Sequence, residues 1–353
     1  MTERLNVAVI GAGYWGPNLA RNFRASADWN LVAICDLDQE RARGVADSVG
    51  GVPITSDLAE LLRDPIVDAV AIATPARTHH AIVLAALAAG KHVMVEKPLA
   101  DTRERGAEMV RVAEERGLVL MADHTYCYTP AVLKIRELVA EGALGDILFV
   151  DSVRINLGLI QPDVDVFWDL APHDLSIMDF VLPGGLAATS VSAHGSDPLR
   201  TGRSCVGYLA MPLECGAMAH VHVNWLSPTK IRQMVIGGTK RTLVWDDLNP
   251  QQRLSVYDRG VDIDAVSKVT SADTRAANIS YRLGDTWAPA LPEREALGGV
   301  VSELAAAIRE GRAARTSGTA GLRVLSVLEA ATSSLAAAGA PRPIVTDLEE
   351  VAA

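Results

Sequence analysis

Three clusters of residues in this chain could carry chemistry. In the first, Gly11, Gly13 and Gly16 form G-x-G-x-x-G directly after the apolar run VAVI and ahead of helical spacing. Gly11 suits a tight turn, Gly13 lets backbone approach a pyrophosphate, and Gly16 lets helix and strand pack closely. The helix start would offer unpaired N–H groups and a positive dipole to phosphates. Asp36 ends the next apolar run, 20 residues after Gly16, the offset of an acid that accepts bonds from ribose hydroxyls. A carboxylate there binds the free 2′-hydroxyl of NAD and repels the 2′-phosphate of NADP. Leu37 follows it, with no arginine before Arg41, so NAD is expected over NADP. The alternative is a purely structural glycine turn in another α/β protein, such as a methyltransferase.

The second cluster is GKHVMVEKPL at 90–99, where Lys97 follows a strand-like run. A lysine at the carboxyl end of a parallel strand faces the ligand crevice; a solvated strand-end lysine is the alternative. The third is WDLAPHD at 168–174, with Asp169, His173 and Asp174 near an expected helix start. Histidine accepts a proton near neutral pH, and a neighbouring carboxylate orients it and stabilises its charge. Capping or packing the helix is the alternative for His173.

The elements around these clusters alternate in type up to residue 123. Apolar strands are expected at 6–10, 31–35, 67–73, 91–95 and 118–122. Helices are expected at about 15–25, 38–49, 78–89 and 102–116. Short apolar strands alternating with helices imply an α/β, doubly wound parallel sheet covered on both faces. One more helix, 130–141, follows. Strands are then expected at 147–156, 186–195, 203–211, 215–225, 230–237 and 241–246, with a helix at 173–180. Consecutive strands on short turns imply an α+β domain with an open, mostly antiparallel sheet. Residues 248–292 are irregular by pattern, and two Ala-rich helices near 293–309 and 320–338 close the chain. The expected division is a dinucleotide-binding Rossmann domain at 1–123 and a substrate-binding, oligomer-forming domain at 124–353.

The chain has 353 residues, 33 Lys and Arg against 43 Asp and Glu, and a net charge of −10. That balance argues against nucleic-acid binding and against docking on an anionic membrane. The longest apolar run, 81–89, is nine residues, far short of the ~20 of a membrane helix. The N-terminal apolar stretch runs into the glycine motif, so it is not expected to be a signal peptide. Cys35, Cys127, Cys205 and Cys215 are scattered with no CxxC, which suits a reducing cytoplasm and offers no zinc framework. His220 and His222 share a strand face, as a metal site could use, but no third ligand is placeable. No metal is expected.

Taken together, the glycine motif, Ala73-Thr74-Pro75 with His79, and the Gly-Lys-His-Val and Glu-Lys-Pro run resemble the Gfo/Idh/MocA family of nicotinamide-dependent sugar oxidoreductases. The resemblance covers essentially the whole chain. The family's D-x-G-x-H pattern maps onto Asp169, Ala171 and His173, with Ala171 replacing the usual glycine. What the resemblance implies is that Lys97 and His173 flank the reacting carbon with Asp169 assisting. It also implies cofactor contacts from Gly11, Gly13, Tyr14, Trp15, Gly16, Asp36, Thr74, Pro75, His79, Glu96 and Lys97.

Substrate is less legible. HTYCYTP at 124–130, GYWGPN at 13–18 and WLSPTK at 225–230 resemble a bacterial subgroup acting on nucleotide-linked and amino sugars, several at carbon 3. This brings Tyr126 to the expected substrate site beside Lys97, Asp169 and His173. Ser152, Arg154 and Asn156 alternate on one strand face. If that face lines the cleft, Arg154 could hold a phosphate bidentately and Asn156 a sugar hydroxyl. A solvated face or an oligomer salt bridge is the alternative, and Lys230 and Arg232 pose the same choice. A free cyclitol or simple sugar dehydrogenase, and a non-catalytic NAD-binding regulator on the same scaffold, are competing functions. A homodimer or homotetramer is expected because one sheet face needs cover, with Val221, Val223 and Trp225 on one strand face supplying apolar area.

Overall fold

The computed structural model describes residues 3–161, 163–263 and 279–345. They form two compact units. The first contains β1 (Leu5–Ile10), α1 (Gly16–Ala25), β2 (Trp29–Cys35), α2 (Gln39–Ser48), β3 (Ile54–Thr55), α3 (Leu58–Arg63), β4 (Ala69–Ile72), α4 (Ala76–Ala88), β5 (His92–Glu96), α5 (Arg103–Glu115) and β6 (Leu120–Asp123). The strands form one parallel sheet in the order β3-β2-β1-β4-β5-β6. Every residue of β4 is buried, as is 7–10 of β1, because helices cover both faces of a parallel sheet. The strand order reverses direction between β1 and β4, and the carboxyl ends there open the crevice in which such sheets bind ligands.

This unit is not bounded at residue 123. It runs to 129 and includes 293–329. Arg21 of α1 makes a bidentate ion pair with Glu295, at 2.9 and 2.6 Å, and the Trp29 indole donates to the Val301 carbonyl at 2.7 Å. A single cut in the sequence cannot express that return.

The second unit holds 130–292 and 330–344. Its helices include α6 (Pro130–Ala140) and α7 (Val166–Val181). Its strands are β7 (Ile147–Leu157), β8 (Ser190–Ser196), β9 (Val206–Pro212), β10 (Met218–Asn224), β11 (Leu226–Gly238), β12 (Thr242–Asp246), β13 (Leu254–Ile263), β14 (Ile279–Trp287) and β15 (Arg342–Pro343). They form a nine-stranded sheet in the order β14-β13-β12-β11-β7-β10-β9-β8-β15. Only the β7–β10 pairing is parallel. The two Ala-rich helices are α8 (Ala296–Glu310), in the first unit, and α9 (Gly318–Ala336), whose residues up to 329 belong to the first unit and the rest to the second.

Two differences from the sequence pattern matter. α7 starts at Val166, seven residues before the expected start. The Asp165 carboxylate accepts the N–H groups of Phe167 and Trp168, both at 3.0 Å, which caps the helix there. Pro172 lies inside it, and its missing N–H mimics a helix start in sequence. The other difference is Val221, Val223 and Trp225, which are buried inside the unit, on the side where α7 packs against β7, β9 and β10. They are core residues, not an apolar contact surface.

Candidate active site

In the first unit the turn after β1 and the turn after β4 meet. Gly11 has φ of 98°, and a Cβ on it would lie 2.7 Å from the Ala73 backbone. A Cβ on Gly16 would come within 2.1 Å of the Gly11 carbonyl oxygen. Gly13 has open space where its side chain would be, as close approach of a ligand to backbone requires. The Asp36 carboxylate accepts the Ala12 N–H at 2.6 Å through Oδ2 and the Asp38 N–H at 2.8 Å through Oδ1. It is therefore aimed at the glycine turn, and Leu37 beside it is exposed. Tyr14 projects into solvent. Thr74 follows β4 and accepts the Thr78 hydroxyl at 2.7 Å, while Pro75 occupies the N-cap of α4. These groups fit a dinucleotide: an open glycine turn at a helix start, with an acid oriented toward it.

At the carboxyl ends of β5 and β6, Lys97 is half-buried. Its amide donates to Glu96 Oε2 at 3.1 Å. The Trp15 indole donates to Asp123 Oδ2 at 3.2 Å, tying the glycine turn to the end of β6. Tyr126 is half-buried in the 3-10 turn Thr125–Tyr128. Of the expected cofactor residues on this side, His79 is buried and Glu96 half-buried. His79 is 1% exposed, with Nδ1 at 3.0 Å from the Pro98 carbonyl and Nε2 at 2.8 Å from the Thr74 carbonyl. The neutral ring can donate its one N–H to either carbonyl, so His79 packs between the Thr74 turn and the Lys97-Pro98 turn. Burial pushes its pKa down. The Glu96 carboxyl is turned inward against Asp123, and burial followed by that carboxylate holds it well above the usual carboxylate range.

In the second unit, Asp169 lies in the first turn of α7 and His173 one turn further on. Their i, i+4 spacing puts them on one helix face. The Trp225 indole donates to Asp169 Oδ2 at 3.0 Å. Ala171, in place of the family's glycine, is helical and buried. Arg154 corrects the sequence expectation. It is 2% exposed and bidentate to Asp174, at 2.7 and 3.0 Å, and Ser152 donates to the same carboxylate at 2.9 Å. Its guanidinium is spent inside the fold and does not hold a substrate phosphate. Asn156 is half-buried beside Gly158, where a Cβ would meet Asn156 Nδ2 at 2.8 Å and Trp225 Cδ1 at 3.1 Å. Lys230 is exposed, while Arg232 faces Asp247 at 3.5 Å. His220 pairs with Asp151 at 3.2 Å, and His222 stacks on Tyr208 with centroids 4.4 Å apart. Among the described residues no group of three metal-ligating side chains comes together.

Residues 5–124 match the oxidoreductase family with an NAD-binding Rossmann fold, and residues 132–244 match the GFO/IDH/MocA C-terminal domain. The chain belongs to the Gfo/Idh/MocA oxidoreductase family. Its first unit is an NAD-binding Rossmann domain. Among Gfo/Idh/MocA relatives, a D-glucoside 3-dehydrogenase of Escherichia coli is 33% identical over 57% of this chain and 60% of that enzyme. An inositol 2-dehydrogenase of Saccharopolyspora erythraea is 30% identical over 62% of this chain and 66% of that enzyme. Among solved structures, UDP-N-acetylglucosamine 3-dehydrogenase of Acidithiobacillus ferrooxidans is 25% identical with a TM-score of 0.78, over 96% of this chain and 99% of that one. Members of this kind are sugar and cyclitol dehydrogenases, and this chain is an oxidoreductase of that class.

Sequence reasoning missed Asp123 and Trp225 as members of these clusters. Asp123 had a usable signal, because it ends a parallel strand just as Lys97 follows one. Trp225 had none, since its partner lies 56 residues away.

The geometry at Asp36 gives a direct expectation. The unmodified chain binds NAD more tightly than NADP, and Asp36→Ser with Leu37→Arg reverses the ratio, because the repelling charge is replaced by a cation. Asp36→Ala weakens both cofactors, since the Ala12 amide loses its acceptor. Titration with each cofactor checks this, and equal or tighter binding of NADP by the unmodified chain contradicts it.

Proposed function

We propose that this chain is an NAD-dependent dehydrogenase or ketoreductase acting on a CH–OH carbon of a nucleotide-linked sugar. The observation that carries the acid–base part is the Asp169–His173 pair, one helical turn apart on α7, with Asp169 held by the Trp225 indole. In the oxidative direction the His173 imidazole accepts the hydroxyl proton. The Asp169 carboxylate stabilises the imidazolium that results. Lys97 donates to the substrate oxygen as negative charge builds on it. Gly11, Gly13, Gly16, Asp36 and Thr74 hold the dinucleotide. Bound NAD supplies the acceptor for the hydride that leaves the sugar carbon.

Two things support the nucleotide-linked substrate: the likeness to the UDP-N-acetylglucosamine 3-dehydrogenase over nearly the whole chain, and the segments at 13–18, 124–130 and 225–230. A free cyclitol or sugar is the second reading, favoured by the inositol and glucoside relatives. A screen of nucleotide sugars, free sugars and inositols, following absorbance of reduced nicotinamide, separates the two. Turnover that needs the nucleotide supports the first, and equal turnover without it selects the second. NAD binding with no turnover on any of them would make the chain a regulator.

This reading includes cytoplasmic residence, with Cys35, Cys127, Cys205 and Cys215 all outside any disulfide. Among the described residues no helix is long and apolar enough to cross a membrane. It also includes a homodimer or homotetramer, with the sheet face opposite Val221, Val223 and Trp225 as the contact face. There Tyr208, Met218 and His220 are exposed and His222 half-buried, a face that a two-fold copy would cover. A mass of more than one chain is expected in solution at micromolar concentration, and a single-chain mass contradicts it.

A further inference from the structure

Glu96 and Asp123 are register partners on the adjacent parallel strands β5 and β6, immediately before Lys97 and His124. Asp123 is 1% exposed. Its Oδ2 accepts the Trp15 indole N–H at 3.2 Å, and its Oδ1 accepts the Thr125 hydroxyl at 2.8 Å. An indole N–H can only donate, so Asp123 meets it as an acceptor. Glu96 Oε2 accepts the Lys97 amide at 3.1 Å. Glu96 Oε1 is buried, with no N–H or O–H among the described residues directed at it, and the Glu96 carboxyl lies against that of Asp123. Two ionised carboxylates in contact inside a fold repel each other strongly. One proton between them turns that repulsion into a charge-assisted hydrogen bond. With the Asp123 oxygens both accepting from other donors, the proton belongs on Glu96.

We propose that Glu96 is a positioning residue that works as a neutral acid, donating its proton to Asp123 while accepting the Lys97 amide, and so fixes the turn that aims Lys97 at the reacting oxygen. The proposal rests on the reading of Lys97 given above. Because Trp15 holds the same Asp123 carboxylate, the network also ties the glycine turn to the Lys97 turn. Carboxylate function here would then be split as in other paired sites, one group kept protonated and its neighbour ionised.

The protonation has a stability signature. Burial and the facing Asp123 raise Glu96 well above the usual carboxylate range, opposed by the charge of Lys97, which follows the strand, and by the Lys97 amide. The folded chain therefore keeps a proton that the unfolded chain releases. Stability from this group is present at low pH and falls as pH rises from the usual carboxylate value through the raised one.

The test compares Glu96→Ala, Glu96→Gln and the unmodified protein with bound NAD. Glutamine can donate to Asp123 through its amide and accept the Lys97 N–H, as a protonated glutamate does. Glu96→Ala is expected to lower kcat by about tenfold to hundredfold, the scale of a misplaced catalytic group, and Glu96→Gln to recover most of that loss. Infrared spectra of the unmodified protein near neutral pH should contain the carbonyl band of a protonated acid that Glu96→Gln lacks. The melting temperature of Glu96→Gln should fall less with rising pH than that of the unmodified protein. Absence of the band, or a Glu96→Gln variant as impaired as Glu96→Ala, overturns the proposal even if Glu96→Ala fails to fold. A Lys97→Ala variant with full turnover overturns the underlying reading of Lys97 instead, whatever the infrared result.

Discussion

Arg154→Ala is expected to destabilise the second unit by about 3–5 kcal/mol, the cost of leaving a buried charge unpaired. The pair is a strong case. Both side chains are nearly inaccessible, at 3% and 2%, both guanidinium contacts to Asp174 are short, and Ser152 supplies a further donor. Removing the cation strands Asp174 in the fold beside His173. Arg154→Met with Asp174→Leu is expected to recover most of the loss, since apolar replacement of a whole buried pair is often neutral or better. Urea unfolding of the three proteins measures this, and a loss below about 1 kcal/mol for Arg154→Ala would contradict the buried-pair account.

His173→Ala is expected to lower turnover by roughly 10²–10⁴-fold, the usual worth of a positioned general base. NAD affinity should be nearly unchanged, because His173 lies on α7 and the dinucleotide residues lie in the Rossmann unit. Lys97→Ala should also reduce turnover and weaken sugar binding, through loss of a donor to the reacting oxygen. If both residues act on that oxygen in one transition state, the double variant loses less than the two single losses combined.

Much of the first unit was legible in the sequence because its rules are local. Short apolar strands, helix periods and the glycine turn place β1, β2, β4, β5 and β6 within a few residues, and Asp36 falls where the motif puts it. The second unit was less legible where structure depends on distant partners. β13 and β14 lie at one edge of the nine-stranded sheet, and their half-exposed, polar sequences lack a clean alternation to read. The sequence pattern starts α7 at about 173, whereas the Asp165 cap sets its start at Val166 and carries Pro172 inside the helix. Arg154 shows the deeper limit. Alternation correctly puts Ser152 and Arg154 on one face, but it cannot say that a carboxylate from α7 covers that face. Trp225 fails in the same way, because an apolar pattern hides an indole N–H that bonds to Asp169.

Single-turnover hydride transfer in His173→Ala decides whether His173 takes the substrate proton in an NAD-linked oxidation. With a substrate from the nucleotide-sugar screen, the unmodified protein should reduce its bound NAD in a single turnover. The variant should be slower by at least about 10²-fold at equal NAD occupancy. Full single-turnover rate in His173→Ala across pH 6 to 9 would reduce His173 to a packing residue of α7 and contradict the mechanism.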